Sequence, residues 1–185
     1  MVVDLRIDAY ERLALAEPDR RWELHDGVLR EKPAVTFGHS ILASRLNRDL
    51  VLQLDPALHW TSLDFSRVRR PGATYFTPDL MVIPVELSDA FRDRWEDLAV
   101  YDEPLPLIVE VWSPSTGDYD LGKKIPVYQA RGDEEIWRIH PGERIVTVWR
   151  RQPDGSYLES THHGGRVEIA SLPGVTIDLD VLFAD

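Results

Sequence analysis

The chain has 185 residues, 43% of them hydrophobic and 29% charged, which is the balance of a globular protein able to bury most of its apolar surface in one domain spanning residues 1–185. It contains no cysteine, which excludes a disulfide framework, thiolate metal sites and a cysteine nucleophile. Thirty-two acidic residues against 21 basic ones leave a formal net charge of −11, which argues against a general nucleic-acid binder working through a basic face.

No apolar run approaches the roughly 20 residues that a membrane helix needs. Met1–Tyr10 mixes charged and apolar residues without a signal-peptide core, so a cytoplasmic location is expected. Residues 7–16 have the spacing of a short amphipathic helix, stopped by Pro18. Trp22–Glu31 alternates on both sides of Asp26-Gly27, a hairpin-turn signal. From Thr36, a plausible N-cap, Ile41, Leu42, Leu46, Leu50 and Leu54 recur at helical spacing.

Residues 58–66 and 79–84 read as strands, and residues 71–78, with Pro71 and Pro78, as loop or strand edge. Residues 88–105 form a charged surface excursion with room for a short helix. Residues 106–112 are a continuous apolar strand interrupted only by Glu110, which predicts burial on both faces near a sheet centre. A helix from about Tyr119 to Ala130 should end at Gly132, and Pro126 should bend it or confine regular helix to one side. Strands are expected over 135–140, 144–151, 157–161 and 166–169, with a short helix or tail at 181–183. The pattern is α+β: a mixed sheet flanked by helices, with additional strands.

The chemistry concentrates between Pro78 and Tyr128. An acid in a Leu-Ile-Val run is costly unless something meets it. Adjacent strands lie about 4.8 Å apart, so Asp79 and Glu110 at matching strand ends could share a divalent cation. Such a cation acidifies water and polarises a phosphoryl group. The alternative is a turn-ending Asp79 with Glu110 paired to an arginine. Without metal, the two acids would be like charges held close, which raises at least one pKa.

Asp120, Lys124 and Tyr128 stand at i, i+4 and i+8, on one helix face, which favours Lys124 over Lys123 as a catalytic amine. Only three of the 21 basic residues are lysines, Lys32, Lys123 and Lys124, and two of those adjoin the candidate site. Glu23 could be a third acid or a solvent-facing hairpin residue. His39 could contact phosphate or serve structure at a helix start. Arg67, Arg69 and Arg70 are the densest basic cluster, either a phosphate-contacting arm or a solvated loop. Phosphate-cradling Gly-rich loops, dinucleotide fingerprints, H-E-x-x-H and a nucleophile elbow are all missing, which removes kinases, dehydrogenases and serine hydrolases.

P-D-L-M-V-I-P, L-I-V-E-V-W-S-P-S-T, D-x-x-x-K-x-x-x-Y and G-D-E-E-I-W-R-I-H-P, with W-E-L-H-D-G-V-L and G-H-S upstream, together resemble the Uma-type family of putative restriction endonucleases. That family is a bacterial branch of the PD-(D/E)xK nuclease superfamily, and the likeness spans roughly residues 10–150. The resemblance implies a restriction-endonuclease-like core and hydrolysis of DNA phosphodiesters with Mg2+ or Mn2+. It implies Asp79, Glu110 and the Val111 backbone carbonyl as metal ligands, Lys124 as the assisting amine and Glu23 as the N-terminal acid.

The superfamily's lysine would stand at position 112, where this chain has Trp112; in the Uma-type branch it is displaced to the next helix, here Lys124. A Lys124 unable to reach the metal would leave a catalytically silent nucleic-acid or protein-interaction module on the same fold, the alternative reading. A homodimer is expected, because Trp137, Val146, Val148 and Trp149 lie on C-terminal strands with few evident covers and cutting both DNA strands often pairs two sites.

Overall fold

The computed structural model describes residues 7–94 and 96–184. The leader-free reading of Met1–Tyr10 therefore lies, for its first six residues, outside the described residues. Helix α1 (Ile7–Ala16) leads to a hairpin, β1 (Trp22–His25) and β2 (Val28–Glu31). Asp26 and Gly27 between them both take left-handed backbone, with φ of 48° and 78°, the pair that a two-residue hairpin turn demands. Helix α2 (Phe37–Val51) starts at Thr36, whose hydroxyl accepts from the His39 amide.

There follow β3 (His59–Leu63), β4 (Arg67–Arg70), β5 (Thr74–Phe76), β6 (Leu80–Pro84), the short α3 (Val85–Ser88), β7 (Val100–Tyr101) and β8 (Leu107–Val111). Next come α4 (Gly117–Tyr119), a widened π-type turn over Asp120–Lys124, and α5 (Ile125–Arg131). The chain continues with β9 (Glu135–His140), β10 (Ile145–Arg151), β11 (Tyr157–His162), β12 (Arg166–Glu168), β13 (Thr176–Asp178) and α6 (Leu179–Leu182). Among the described residues, no helix is long and apolar enough to cross a membrane.

The strands form a six-stranded sheet, β11-β10-β9-β8-β6-β3, a five-stranded sheet, β2-β1-β5-β4-β7, and the β12–β13 pair. The larger sheet is mixed, because β8 and β9 run parallel while its other pairs are antiparallel. That parallel step needs a crossover, and α4, the π-type turn and α5 supply it. All five residues of β8 are buried, as a strand covered on both faces requires. One face packs Leu80, Val82, Leu107 and Val109 against α2, β12, β13 and α6. The other packs Met81, Ile83 and Ile108 with Phe76 and Tyr101 of the smaller sheet and with α5.

This alternation positions the acids. Leu80 pairs with Val109 in antiparallel register, so one step further Asp79 is level with Glu110. Both then take the parity of Met81 and Ile108, the face toward the smaller sheet and α5.

Three expectations change. Residues 74–76 are an inner strand, paired to β1 and β4, because Pro71 and Pro78 flank the ladder without interrupting it. Arg67, Arg69 and Arg70 lie on the strand β4 and not in a loop, and Arg69 is held by Asp102 and Glu11. Trp137, Val146, Val148 and Trp149 are buried within one chain, so they leave no open apolar face to be covered by a second. Pro126 falls in the first turn of α5, where its missing N–H costs nothing, and the π-type turn ends just before it.

Trp112 stacks on His140, with ring centroids 4.1 Å apart, and lies across Gly117. A Cβ on Gly117 would sit 1.9 Å from the Trp112 indole nitrogen. Gly117→Ala should therefore cost about 1–3 kcal/mol in denaturant unfolding through overpacking. The same substitution in a Trp112→Ala background should cost clearly less, because the two positions share one contact.

Candidate active site

Glu110 projects from β8 into a buried cluster. Its Oε1 accepts from the Tyr128 hydroxyl at 2.5 Å and from the Lys124 ammonium at 3.2 Å. Lys124 also meets Glu23 Oε1 at 2.8 Å and faces Asp120 at 3.6 Å. Glu23, from β1, is fixed in turn by the Thr77 amide, which donates to the same oxygen at 3.0 Å. The i, i+4, i+8 face thus survives the π-type turn, and Asp120, Lys124 and Tyr128 converge on the strand acid. A widened turn of this type is common at functional sites.

Asp79, just before β6, has a different retinue. Its Oδ1 accepts from Lys32 at 2.7 Å, and its Oδ2 accepts from the Val111 amide at 2.7 Å and lies 2.9 Å from His39 Nε2. Lys32 further donates to Asp64 at 2.6 Å and to the Thr77 carbonyl at 2.8 Å. Arg21 closes the chain of charges on the other oxygen of Asp64. Lys32, Asp79, Glu110 and Lys124 are all at least 94% buried.

Burial sets the protonation of each group, and the neighbours then divide them. Burial pushes the Glu110 carboxyl well above the usual carboxylate range, and the Lys124 ammonium offsets only part of that. Burial acts on Asp79 in the same direction, but the Lys32 ammonium and the His39 hydrogen bond outweigh it and hold Asp79 below its ordinary value. One carboxyl of the pair is therefore raised, by burial first and by Asp79 in lesser part, and the other is depressed by Lys32, a neighbour the sequence did not point to. Burial would also lower Lys124, yet Glu110, Glu23 and Asp120 raise it, and it stays an ammonium.

The donor set fits a divalent cation by the chemistry of its oxygens. Five carboxyl groups (Glu23, Asp64, Asp79, Glu110 and Asp120) lie among three cations (Arg21, Lys32 and Lys124). Asp120 Oδ1 is buried with no hydrogen-bond partner. Two strand carboxyl groups offer the hard oxygens that suit magnesium or manganese, which take few protein ligands and keep waters. Among the described residues, no three His, Asp or Glu side chains converge as a ready cation cage. At present the lysines hold the strand acids.

Asp79, Glu110, Lys124 and Glu23 are thus brought into one cluster, and the Val111 main chain lies against Asp79 through its amide. His39 joins them; Lys123 and the His162-His163 pair do not. Lys32 was missed as a site residue. Its signal was its rarity: in a chain of 18 arginines and three lysines, each lysine is a chosen residue. Trp112 points its ring at His140.

The model of the Uma2 family, described as "Putative restriction endonuclease", matches residues 7–181. Among solved structures, the chain is similar to one described as a putative nuclease belonging to DUF820 from Anabaena variabilis ATCC 29413. The two share 19% sequence identity and a TM-score of 0.72, over 88% of this chain and 89% of that one. At that identity the likeness concerns the fold, an α+β arrangement around a mixed sheet. No curated protein matches the chain.

The divided protonation predicts opposite signs for two substitutions in metal-free protein. Asp79→Asn removes one of the two carboxylates on the buried Lys32 and should cost about 1–3 kcal/mol. That carboxylate's stabilisation is present above its unfolded pKa and disappears as pH falls through its depressed folded value. The raised Glu110 carboxyl behaves the other way: its contribution is full below the unfolded pKa and is lost as pH rises through the folded one. Glu110→Gln should therefore stabilise the protein near pH 7–8 by roughly 0.5–2 kcal/mol and change little near pH 4. Thermal unfolding across pH reads both, and a rise in melting temperature for Asp79→Asn would contradict the Lys32 pairing.

Proposed function

We propose, from the premise that this chain belongs to the Uma2 restriction-endonuclease family, that it is a metal-dependent nuclease hydrolysing DNA phosphodiester bonds at the Asp79–Glu110 cluster. The observation that carries the reading is the convergence of two strand acids, a buried lysine and the N-terminal acid Glu23 in one buried cluster of a chain with this membership. Asp79 and Glu110, with the Val111 carbonyl, would hold Mg2+ or Mn2+. The bound cation would supply water activation and neutralise charge on the phosphate.

The chain's own groups take the remaining roles. Lys124 presents a permanent positive charge to the phosphoryl oxygens, whose charge grows as water adds to phosphorus and the bond to one sugar oxygen breaks. Glu23 aims that ammonium, holding it at 2.8 Å. Tyr128 and Lys124 orient the Glu110 carboxyl that would hold the cation. Lys32 and His39 are positioning residues that orient Asp79. Assembly as a homodimer rests only on the need to cut both strands of a duplex, given that the C-terminal tryptophans are buried within one chain.

Magnesium and manganese should support cleavage of DNA, while calcium binds without turnover. Lys124→Met keeps the aliphatic stem; it should abolish cleavage and leave metal affinity, read by calorimetric titration, within a few fold. Lys123→Ala should cleave normally. Normal cleavage by Lys124→Met would remove the amine assignment, and absence of any metal binding would favour the catalytically silent module. A strictly monomeric mass by light scattering at micromolar concentration would exclude the dimer.

A further inference from the structure

A cleft of about 490 Å³ opens between α1, the loop before β1 and the β3–β4 turn. Its walls include Leu15, Arg20, Arg21, Phe65, Arg67 and Thr77. It shares Leu63 and Asp64 with a smaller cavity of about 110 Å³, which reaches His39 and Asp79. Leu63 and Asp64 are thus a wall common to the outer cleft and to the cavity at the acid that Lys32 holds.

The lining is unusual for an acidic protein. Phe65 is 81% exposed, an aromatic ring left in water at the tip of a turn. Asp64, beside it, takes left-handed backbone with φ of 58° and is tied by Arg21 and Lys32, so that the turn is held in place. Arg67 donates to the Tyr10 hydroxyl at 3.0 Å and to the Phe65 carbonyl at 3.2 Å, and meets no carboxylate among the described residues. At the inner wall, the Thr77 hydroxyl is buried without a hydrogen-bond partner. Arg20 reaches Glu17 and Glu31 only at 3.8 Å, from an exposed position.

We propose that this cleft binds a single nucleic-acid strand, with a base stacked on Phe65 and backbone phosphates on Arg67 and Arg20, leading the strand past Asp64 toward Asp79, a destination that rests on the hydrolytic reading above. A duplex keeps its base faces inside the stack and offers a protein only backbone and groove edges. An exposed ring over an apolar floor has nothing to meet there. An unpaired strand offers both a base face and phosphates to such a combination. The charge balance points the same way. A net charge of −11 weakens the sequence-independent attraction on which duplex binding depends, whereas stacking does not draw on it. A strand held in one cleft also needs no second copy of the chain.

The test is fluorescence anisotropy with labelled oligo(dT), oligo(U) and a blunt duplex of equal length, in EDTA so that nothing is cut. Oligo(dT) should bind at least about tenfold more tightly than the duplex, and Phe65→Ala should weaken oligo(dT) by about tenfold or more while leaving the duplex unchanged. Arg67→Gln should weaken the single strand and flatten its salt dependence. Oligo(U) binding as well as oligo(dT) supports a strand site indifferent to the sugar, and weaker binding supports one that reads DNA. Equal affinity for duplex and single strand, or no effect of Phe65→Ala, overturns the proposal. Cleavage of the same oligonucleotides with magnesium separates the two readings. Phe65-dependent binding without any cleavage overturns the hydrolytic reading alone, and cleavage indifferent to Phe65 overturns the cleft alone.

Discussion

A carboxylate moved from water into an apolar strand is strongly destabilised unless a cation or a donor meets it. Glu110 sits in such a strand, level with Asp79 on the next, and among the described residues neither acid is hydrogen-bonded to or ion-paired with a basic residue of that sheet, although Arg138 of β9 is the register partner of Glu110. Compensation has to come from elsewhere in the chain. The crossover after β8 brings Lys124 and Tyr128 to Glu110, and the segment after β2 brings Lys32 to Asp79. The π-type turn, the short strands of the second sheet and the entry of α2 at His39 all serve contacts to these two acids.

The N-terminal hairpin shows how closely the two halves of the site depend on each other. Its first strand carries an acid, Glu23, which reaches the lysine of the crossover. Its exit carries a lysine, Lys32, which reaches the acid of β6. One hairpin, set by the Asp26-Gly27 turn, therefore latches the smaller sheet to the larger through two buried ion pairs of opposite polarity. Buried pairs of this kind are weak evidence for net stability, because desolvation opposes them, but breaking one is costly. They specify where the hairpin docks more than they hold the protein together.

Much of this was legible in the residues. The turn dipeptide, the Thr36 cap, the doubly buried β8, Pro126 as a limit on regular helix and the i, i+4, i+8 face each follow from local chemistry. So does the shared face of Asp79 and Glu110, once the strands are placed as neighbours. Lys32 was not legible, because nothing near it in sequence marks burial; its partner is 47 residues away. The inner strand Thr74–Phe76 was hidden by its short length between prolines. The arginines of β4 looked like a solvated cluster because their partners, Asp102 and Glu11, lie far along the chain. Long-range pairing decides these features, and periodicity carries no record of it.

The choice of lysine for both site cations is itself informative in a chain that elsewhere uses arginine. A guanidinium is a planar fork suited to one carboxylate at a time, whereas an ammonium is a compact point charge with three donors. Lys32 uses all three, on Asp64, the Thr77 carbonyl and Asp79. Lys124 faces Glu23, Glu110 and Asp120. Each ammonium thus sits among three oxygens, the surroundings that a hard cation also seeks. The oxygens that would hold a divalent ion are satisfied by lysine in its absence, so the apo fold does not carry bare like charges at its centre. The same arrangement sets a threshold for metal: an incoming ion must offset whatever lysine contact it loosens on Asp79 or Glu110.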